Sequence, residues 1–344
     1  MKHLLMILLW STLFVHCYKE RITIGQDAHD SFFIKHEDAS MHVLVRGNTA
    51  SKQFMVIVHG GPGASGYLYL TRKIKEIVEK DYAVVYFDQR NSGGSQGNVA
   101  SDYFTLPTYA EDLHDLILVL KHRYGDDIGI FLMSKSFGGL VASQFMTQGN
   151  NQHLVKGWIF ANATHNIGLN DSLTYQMLLD EGTRHIAQGK NTDGWEPIVA
   201  YCRSNPPGPF TFEQSLRLTK LAWDAQELIE GLEPYKHDVI KQNLVSEHIP
   251  LTNFWLGRTN AGRRRFNKSL NSIKFSDALA QVTVPVLVCN GKLDFVCPQG
   301  LGDDFFAHLG SSDKKKILFE KSAHRFEEQD AYYQAFRTFI RDNQ

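Results

Sequence analysis

An α/β fold is predicted for this chain: a mostly parallel central sheet, helices on both faces, and one inserted helical segment. Three observations predict it. From residue 54 to residue 160, short and continuously apolar runs alternate with segments of helical periodicity. Between residues 165 and 275 the alternation stops, and helical stretches follow one another without a buried-strand run. From residue 284 onward the strand–helix alternation resumes.

In chain order, residues 32–36 and 41–45 read as two strands of a hairpin joined by Glu37-Asp-Ala-Ser40. Residues 54–58 form an apolar, partly β-branched strand that runs into His59-Gly-Gly-Pro-Gly63. Residues 70–78 have helical spacing, with Ile74, Ile77 and Val78 on one face. A strand at 82–87 ends at Asp88, and an amphipathic helix at 109–122 gathers Leu113, Leu116, Ile117 and Leu120. A third strand at 128–133 stops at Ser134, followed by a helix at 138–146 and a strand at 155–160. After the helical segment, which is broken by Asn205-Pro-Pro-Gly-Pro209, come a strand at 284–288 and a helix at 301–308. A strand at 316–319 and a helix at 330–341 close the chain. The predicted organisation is a leader over 1–17, a core over 18–164, a helical lid over 165–275 and the rest of the core over 276–344.

The chain has 344 residues, 43% of them hydrophobic, which is ample for a large core. Lysine and arginine number 36 against 37 acidic residues, so neither a nucleic-acid footprint nor a polybasic membrane arm is expected. A small molecule or short peptide is the expected partner. Met1-Lys-His3 is a basic start, and residues 4–15 are almost wholly apolar but too short to span a bilayer as a helix. The pattern predicts a secretory signal cut after Cys17, and hence an exported protein. An uncleaved anchor is the rival reading, and lipidation of Cys17 is disfavoured by the bulky His16 before it. Cys202, Cys289 and Cys297 then remain; a Cys289–Cys297 bridge is left open, and no spacing resembles a metal site. No cofactor or metal is expected.

Chemistry concentrates in loops that follow the predicted strands, where open parallel sheets bind ligands. Ser134-Lys-Ser136-Phe-Gly-Gly139 lies between a strand and a helix, and a nucleophile held at such a turn needs small neighbours. Gly138 and Gly139 meet that need, while Ser134 stands where glycine is usual. Taken alone, the segment suits a helix cap equally well. The glycine loop at 59–63 lets backbone N–H groups approach an oxyanion, and the donors are assigned to Gly61 and Phe137. His59 precedes the turn and is read as structural. A serine needs a base, and the base an acid to fix its tautomer. Asp294 and His324 each follow a late strand, and the order Ser136, Asp294, His324 is the one expected for this fold. The strand ending at Phe160 is followed by Asn162, so no carboxylate competes there, and Asp171 is a distant second choice.

His59-Gly-Gly-Pro-Gly63 followed by Asp88-Gln-Arg-Asn-Ser-Gly-Gly-Ser95 resembles the proline iminopeptidase family of α/β-hydrolases. That family carries HGGPG and a DQRGxGxS-like segment at these places. The resemblance takes in the Ser136 turn, a GxxDxxxP-like loop at 291–298 and an SxH-like loop at 322–324. It spans residues 40 to 340, the lid matching only in position. The resemblance implies the α/β-hydrolase fold, and removal of N-terminal residues, often proline, through an acyl-enzyme without a metal.

The chain departs from that pattern twice. The family's GGSWGG turn is here Met133-Ser-Lys-Ser136-Phe-Gly-Gly139, which places the charge of Lys135 beside the nucleophile. The family also uses lid glutamates, one in a Trp-Glu pair, to hold the substrate's amino group. Here the Trp-Glu pair is Trp195-Glu196, and Trp223-Asp224 is followed by Glu227 and Glu230; Glu196, Glu227 and Glu230 are the candidates. The Arg263-Arg-Arg265 run is read as a solvated face, and Phe210, Phe212, Phe254 and Trp255 as lid core. A serine hydrolase of aminopeptidase type is the leading expectation. A carboxylic ester hydrolase is the alternative, and a catalytically silent binding member a remote third.

Overall fold

The computed structural model describes residues 22–97, 99–232 and 266–344. The predicted leader, Phe254, Trp255 and the Arg263-Arg-Arg265 run lie outside the described residues. The strand run at 54–58 is apolar at every position because both faces of the sheet are covered. Phe54, Val56 and Val58 face one helical layer, and Met55 and Ile57 face the other.

The chain opens with β1 (Ala28–His36) and β2 (Ala39–Gly47), an antiparallel hairpin. Then follow β3 (Gln53–Val58) and α1, which is a short α-helical turn (Arg72–Ile74) continued by a π-helical one (Lys75–Glu79). Next come β4 (Ala83–Phe87), α2 (Leu106–Tyr124), β5 (Gly129–Ser136), α3 (Gly138–Thr147) and β6 (Gly157–Ala163). The insertion supplies α4 (Ile167–Ala187), α5 (Thr192–Ser204) and α6 (Phe212–Glu227). The core is completed by β7 (Val286–Gly291), α7 (Gln299–His308), β8 (Lys314–Phe319) and α8 (Gln329–Asp342).

The eight strands form one sheet in the order β1-β2-β4-β3-β5-β6-β7-β8, antiparallel at β1–β2 and β2–β4 and parallel from β4 to β8. One face carries α2, α3 and α7 through Leu113, Leu116, Leu140, Phe145 and Phe305. The other carries α1 and α8 through Ile74, Val78, Phe336 and Ile340. The insertion has its own core, in which Tyr175, Leu178, Trp195 and Leu218 pack with Phe295 and Leu301 of the main body. Phe210 packs against that core, its ring 6.0 Å from Tyr175. Cys202, Cys289 and Cys297 are free thiols, so the bridge left open from the sequence does not form.

Several strands run further than their apolar pattern predicts. β5 continues through Ser134, Lys135 and Ser136, β6 through Asn162, and β7 through Asn290 and Gly291. Polar residues occupy the carboxyl ends of these strands, so hydrophobic pattern alone ends them too early.

Candidate active site

Ser136 is the last residue of β5, and its φ of 54° puts it in the left-handed region that L-residues seldom adopt. Such a residue costs about 1–3 kcal/mol and persists where its surroundings hold it. Here the register against β6 shifts between Lys135 and Ser136, and Thr164 donates its N–H to the Ser136 carbonyl at 3.1 Å. α3 begins at once behind it. A Cβ on Gly138 would lie 2.0 Å from the Val58 carbonyl oxygen, and one on Gly139 would lie 2.4 Å from that of Thr164. Ser134 is tolerated because its hydroxyl accepts the Trp158 indole N–H at 2.8 Å.

The glycine loop lies against this turn: a Cβ on Gly60 would sit 2.9 Å from the Ser136 Cβ. Gly61 follows with φ 129°, and Phe137 follows Ser136 at the start of α3. The segment after β4 braces the loop. His59 is buried; its Nδ1 lies 2.7 Å from the Gly60 carbonyl, and its Nε2 accepts the Gln89 N–H at 3.1 Å. Asp88 accepts from the Ser65 hydroxyl, Gly66 N–H and Gly94 N–H, each at 2.7 Å. Arg90 is wholly buried and donates to both carboxylate oxygens of Asp112 at 2.6 Å.

Asp294 and His324 come together across the loops after β7 and β8. His324 Nδ1 lies 2.9 Å from Asp294 Oδ2, and Asp294 Oδ1 accepts the N–H groups of Val296 and Cys297 at 2.8 Å. A ring nitrogen of His324, an Asp294 oxygen and Cys297 Sγ all lie within 4.8 Å of one another. Ser136 hydrogen-bonds with that Cys297 thiol, whose pKa burial pushes well above the ordinary range. Serine, imidazole and carboxylate thus gather around the Cys297 thiol. Burial lowers the His324 pKa below its ordinary value; Lys135 lowers it further, while Asp294 opposes the fall.

Three partners outside the Asp294 pair fix the His324 main chain. Asn162, at the end of β6, donates Nδ2 to the carbonyls of Ala323 at 2.7 Å and His324 at 3.2 Å. Its Oδ1 accepts the Gly291 N–H at 2.7 Å, so one side chain ties the β7 end to the histidine loop. Lys135 Nζ donates to the same His324 carbonyl. From α6, Gln226 accepts the His324 N–H at 3.0 Å, and the Trp223 ring meets the imidazole edge-on at 5.1 Å. In the sequence, Asn162 stands out as the absence of a carboxylate after an apolar strand, and that position is the signal for its role.

The predicted amino-group ligands are placed apart. Glu196 is exposed on α5, beside the buried Trp195, and Glu230 is exposed past the end of α6. Glu227 lines a small cleft with Trp223, Gln226, Ala323, Arg325 and Glu327, next to the histidine loop. Asp171 sits on α4, bonded by the Ser215 hydroxyl of α6, and burial raises its pKa to about 6. It makes no pair with His324.

A family model described as serine aminopeptidase, S33, matches residues 49–192, a stretch that includes Ser136 and ends before Asp294. The probable aminopeptidase YbaC of Bacillus subtilis (strain 168) is 22% identical over 297 residues, covering 82% of this chain and 86% of that protein. The proline iminopeptidase of Clostridioides difficile (strain 630) is 22% identical over 304 residues, covering 87% of this chain and 94% of that one. Among solved structures, the proline iminopeptidase of Mycobacterium smegmatis superposes with a TM-score of 0.61 at 18% identity, over 91% of this chain and 98% of that one. The esterase EaEST of Exiguobacterium antarcticum gives a TM-score of 0.55 at 19% identity, over 90% of this chain and 99% of that one. The chain is a serine hydrolase of the α/β-hydrolase fold that resembles the proline iminopeptidases. The strained strand-to-helix turn at Ser136 is a feature of that fold.

Proposed function

We propose that this hydrolase removes N-terminal residues from short peptides through an acyl-enzyme on Ser136. The observation that carries the reading is the His324 Nδ1–Asp294 contact of 2.9 Å, which leaves Nε2 free to take the serine proton. Ser136 Oγ attacks the scissile carbonyl as its proton passes to His324 Nε2. The N–H groups of Gly61 and Phe137 receive the oxyanion. The imidazolium then protonates the leaving amine, and water repeats the sequence to release the acyl group. Burial favours the neutral imidazole, so the base remains competent on the acid side of neutrality. Glu227, which stands beside the histidine loop, is assigned to the substrate's ammonium group.

Ser136→Ala is expected to abolish turnover and covalent labelling by a fluorophosphonate; retained labelling would overturn the assignment, and a wild type that does not label would favour a silent binding member. Proline-naphthylamide and short p-nitrophenyl esters separate peptidase from esterase. An ester hydrolase is the second reading, and the exposure of Glu196, Glu227 and Glu230 favours it, because none of the three is a buried partner for an ammonium group. Ester turnover without aminopeptidase activity decides for that reading. Export through residues 1–17 belongs to the proposal and rests on the sequence; a mature N-terminus at Tyr18 is the expected product.

A further inference from the structure

Lys135 stands one residue before the nucleophile and is half-buried, with its ammonium group turned in against the histidine loop, an unusual place for a lysine. Alternation along β5 sends its side chain to the face opposite Ser134, toward the ends of β7 and β8. Its Nζ donates to the His324 carbonyl and lies 4.9 Å from the centre of the Phe326 ring. The stem is long enough to cross from β5 to the loop after β8, past Asn162, which serves the same carbonyl.

We infer that Lys135 is a positioning residue for catalysis, its ammonium pinning the His324 loop by the main chain and setting a positive charge beside that loop. The inference rests on the Ser136–His324–Asp294 reading. The titratable groups that face the pair are Asp294 and Cys297 of the acid loop, Cys289 of β7, and Arg325 and Glu327 of the histidine loop. Asp294 and Glu327 support the ammonium and Arg325 opposes it; burial outweighs both and pushes the Lys135 pKa down to about 8. From α6, Trp223 and Gln226 add no charge, and Glu227 lies at the rim. Lys135 therefore remains a cation through much of the working range and acts on the imidazole in the same sense as Arg325, while Asp294 pulls the other way. A neutral His324 is the form that accepts the serine proton, so the cation extends activity toward lower pH.

The test compares wild type with Lys135→Met, Lys135→Gln and Lys135→Arg, each first titrated with fluorophosphonate to count competent Ser136. Failure of wild type to label removes the triad reading itself; labelling of wild type leaves the Lys135 inference to be judged separately. Both neutral variants are expected to move the acid limb of kcat/KM to higher pH and to lower kcat by about 10-fold or more, with KM little changed. Lys135→Arg should keep the limb near its wild-type position. Neutral variants that fold and keep the wild-type limb overturn the inference, as does an arginine variant that shifts as far as they do. Proton NMR of the His324 Nδ1–H in wild type supplies a readout that needs no variant. An imidazole that titrates at or above the ordinary histidine value overturns the role assigned to the charge.

Discussion

Arg90 and Lys135 are both cations at the carboxyl ends of the parallel strands, the first buried and the second half-buried, and their surroundings differ in kind. Arg90 meets a carboxylate with two parallel hydrogen bonds of 2.6 Å, so its charge is cancelled where it stands. Lys135 rests on a carbonyl and an aromatic face, with the carboxylates of Asp294 and Glu327 acting from a distance. A cancelled charge can only hold structure. A charge left open to its neighbours carries a burial cost, and it also acts on the imidazole beside it. The glycine-loop side of the site is thus braced by neutralised ions, and the histidine side is held by an ion whose field is in use.

The largest effect that could break this contrast comes from Arg90→Met, which leaves the buried carboxylate of Asp112 with the half-buried His36, 2.7 Å away, as its remaining side-chain partner. A loss of about 3–5 kcal/mol in urea unfolding is expected. Lys135→Met should go the other way. Unfolded lysine keeps its proton up to about its ordinary 10.5, whereas the folded group loses it near 8. Between those values the unfolded chain binds more protons, so wild-type stability rises with pH, and below 8 the full cost of desolvating the ammonium is felt. At pH 7 the methionine variant should be more stable by about 2 kcal/mol, after about 1 kcal/mol for the lost hydrogen bond. That gap should close as pH rises toward 10.5. A Lys135→Met variant as damaged as Arg90→Met would erase the distinction between the two cations.

The contrast also marks what the sequence discloses. Strands such as β3 and β4 are legible because burial on both faces demands apolar residues at every position. Ser136, Asp294 and His324 are legible because each follows such a strand in a fixed order. The ends of β5, β6 and β7 are not, since the residues that complete them are polar and belong to the site. Lys135 was visible as a charge beside the serine, but nothing in its neighbourhood along the chain names His324 as its partner, 189 residues away. Gln226 and Trp223 are harder still, because helical periodicity in the insertion gives a face and not the loop that the face covers. Glu196 shows the same limit: its tryptophan is buried while the glutamate beside it is exposed.

Asn162 sharpens the comparison, since it holds the carbonyl that Lys135 holds and carries no charge. It is also suited to its φ of 41°, which asparagine tolerates better than most residues. Asn162→Ala leaves the Gly291 N–H and the Ala323 carbonyl without this partner, with a cost of about 1–2 kcal/mol. kcat should fall with the loosened loop, yet the acid limb should stay where it is, because the cation remains. A limb that moves as far as in Lys135→Met would mean that geometry, and not charge, sets the histidine's titration.

The smallest expected effect comes from Ser134, the neighbour of Lys135 that alternation turns to the other face. Its hydroxyl accepts the buried Trp158 N–H at 2.8 Å and reaches the Ile159 carbonyl at 3.4 Å, and no charged group is involved. Ser134→Ala leaves the indole donor buried without that acceptor, at a cost of about 1 kcal/mol read from the unfolding midpoint. kcat and both limbs of the pH profile should match wild type, since the change lies behind the strand and not in the imidazole's field. Any shift of the acid limb in Ser134→Ala would show that distortion of β5 alone perturbs His324. The shift expected for Lys135→Met would then no longer be specific to its charge.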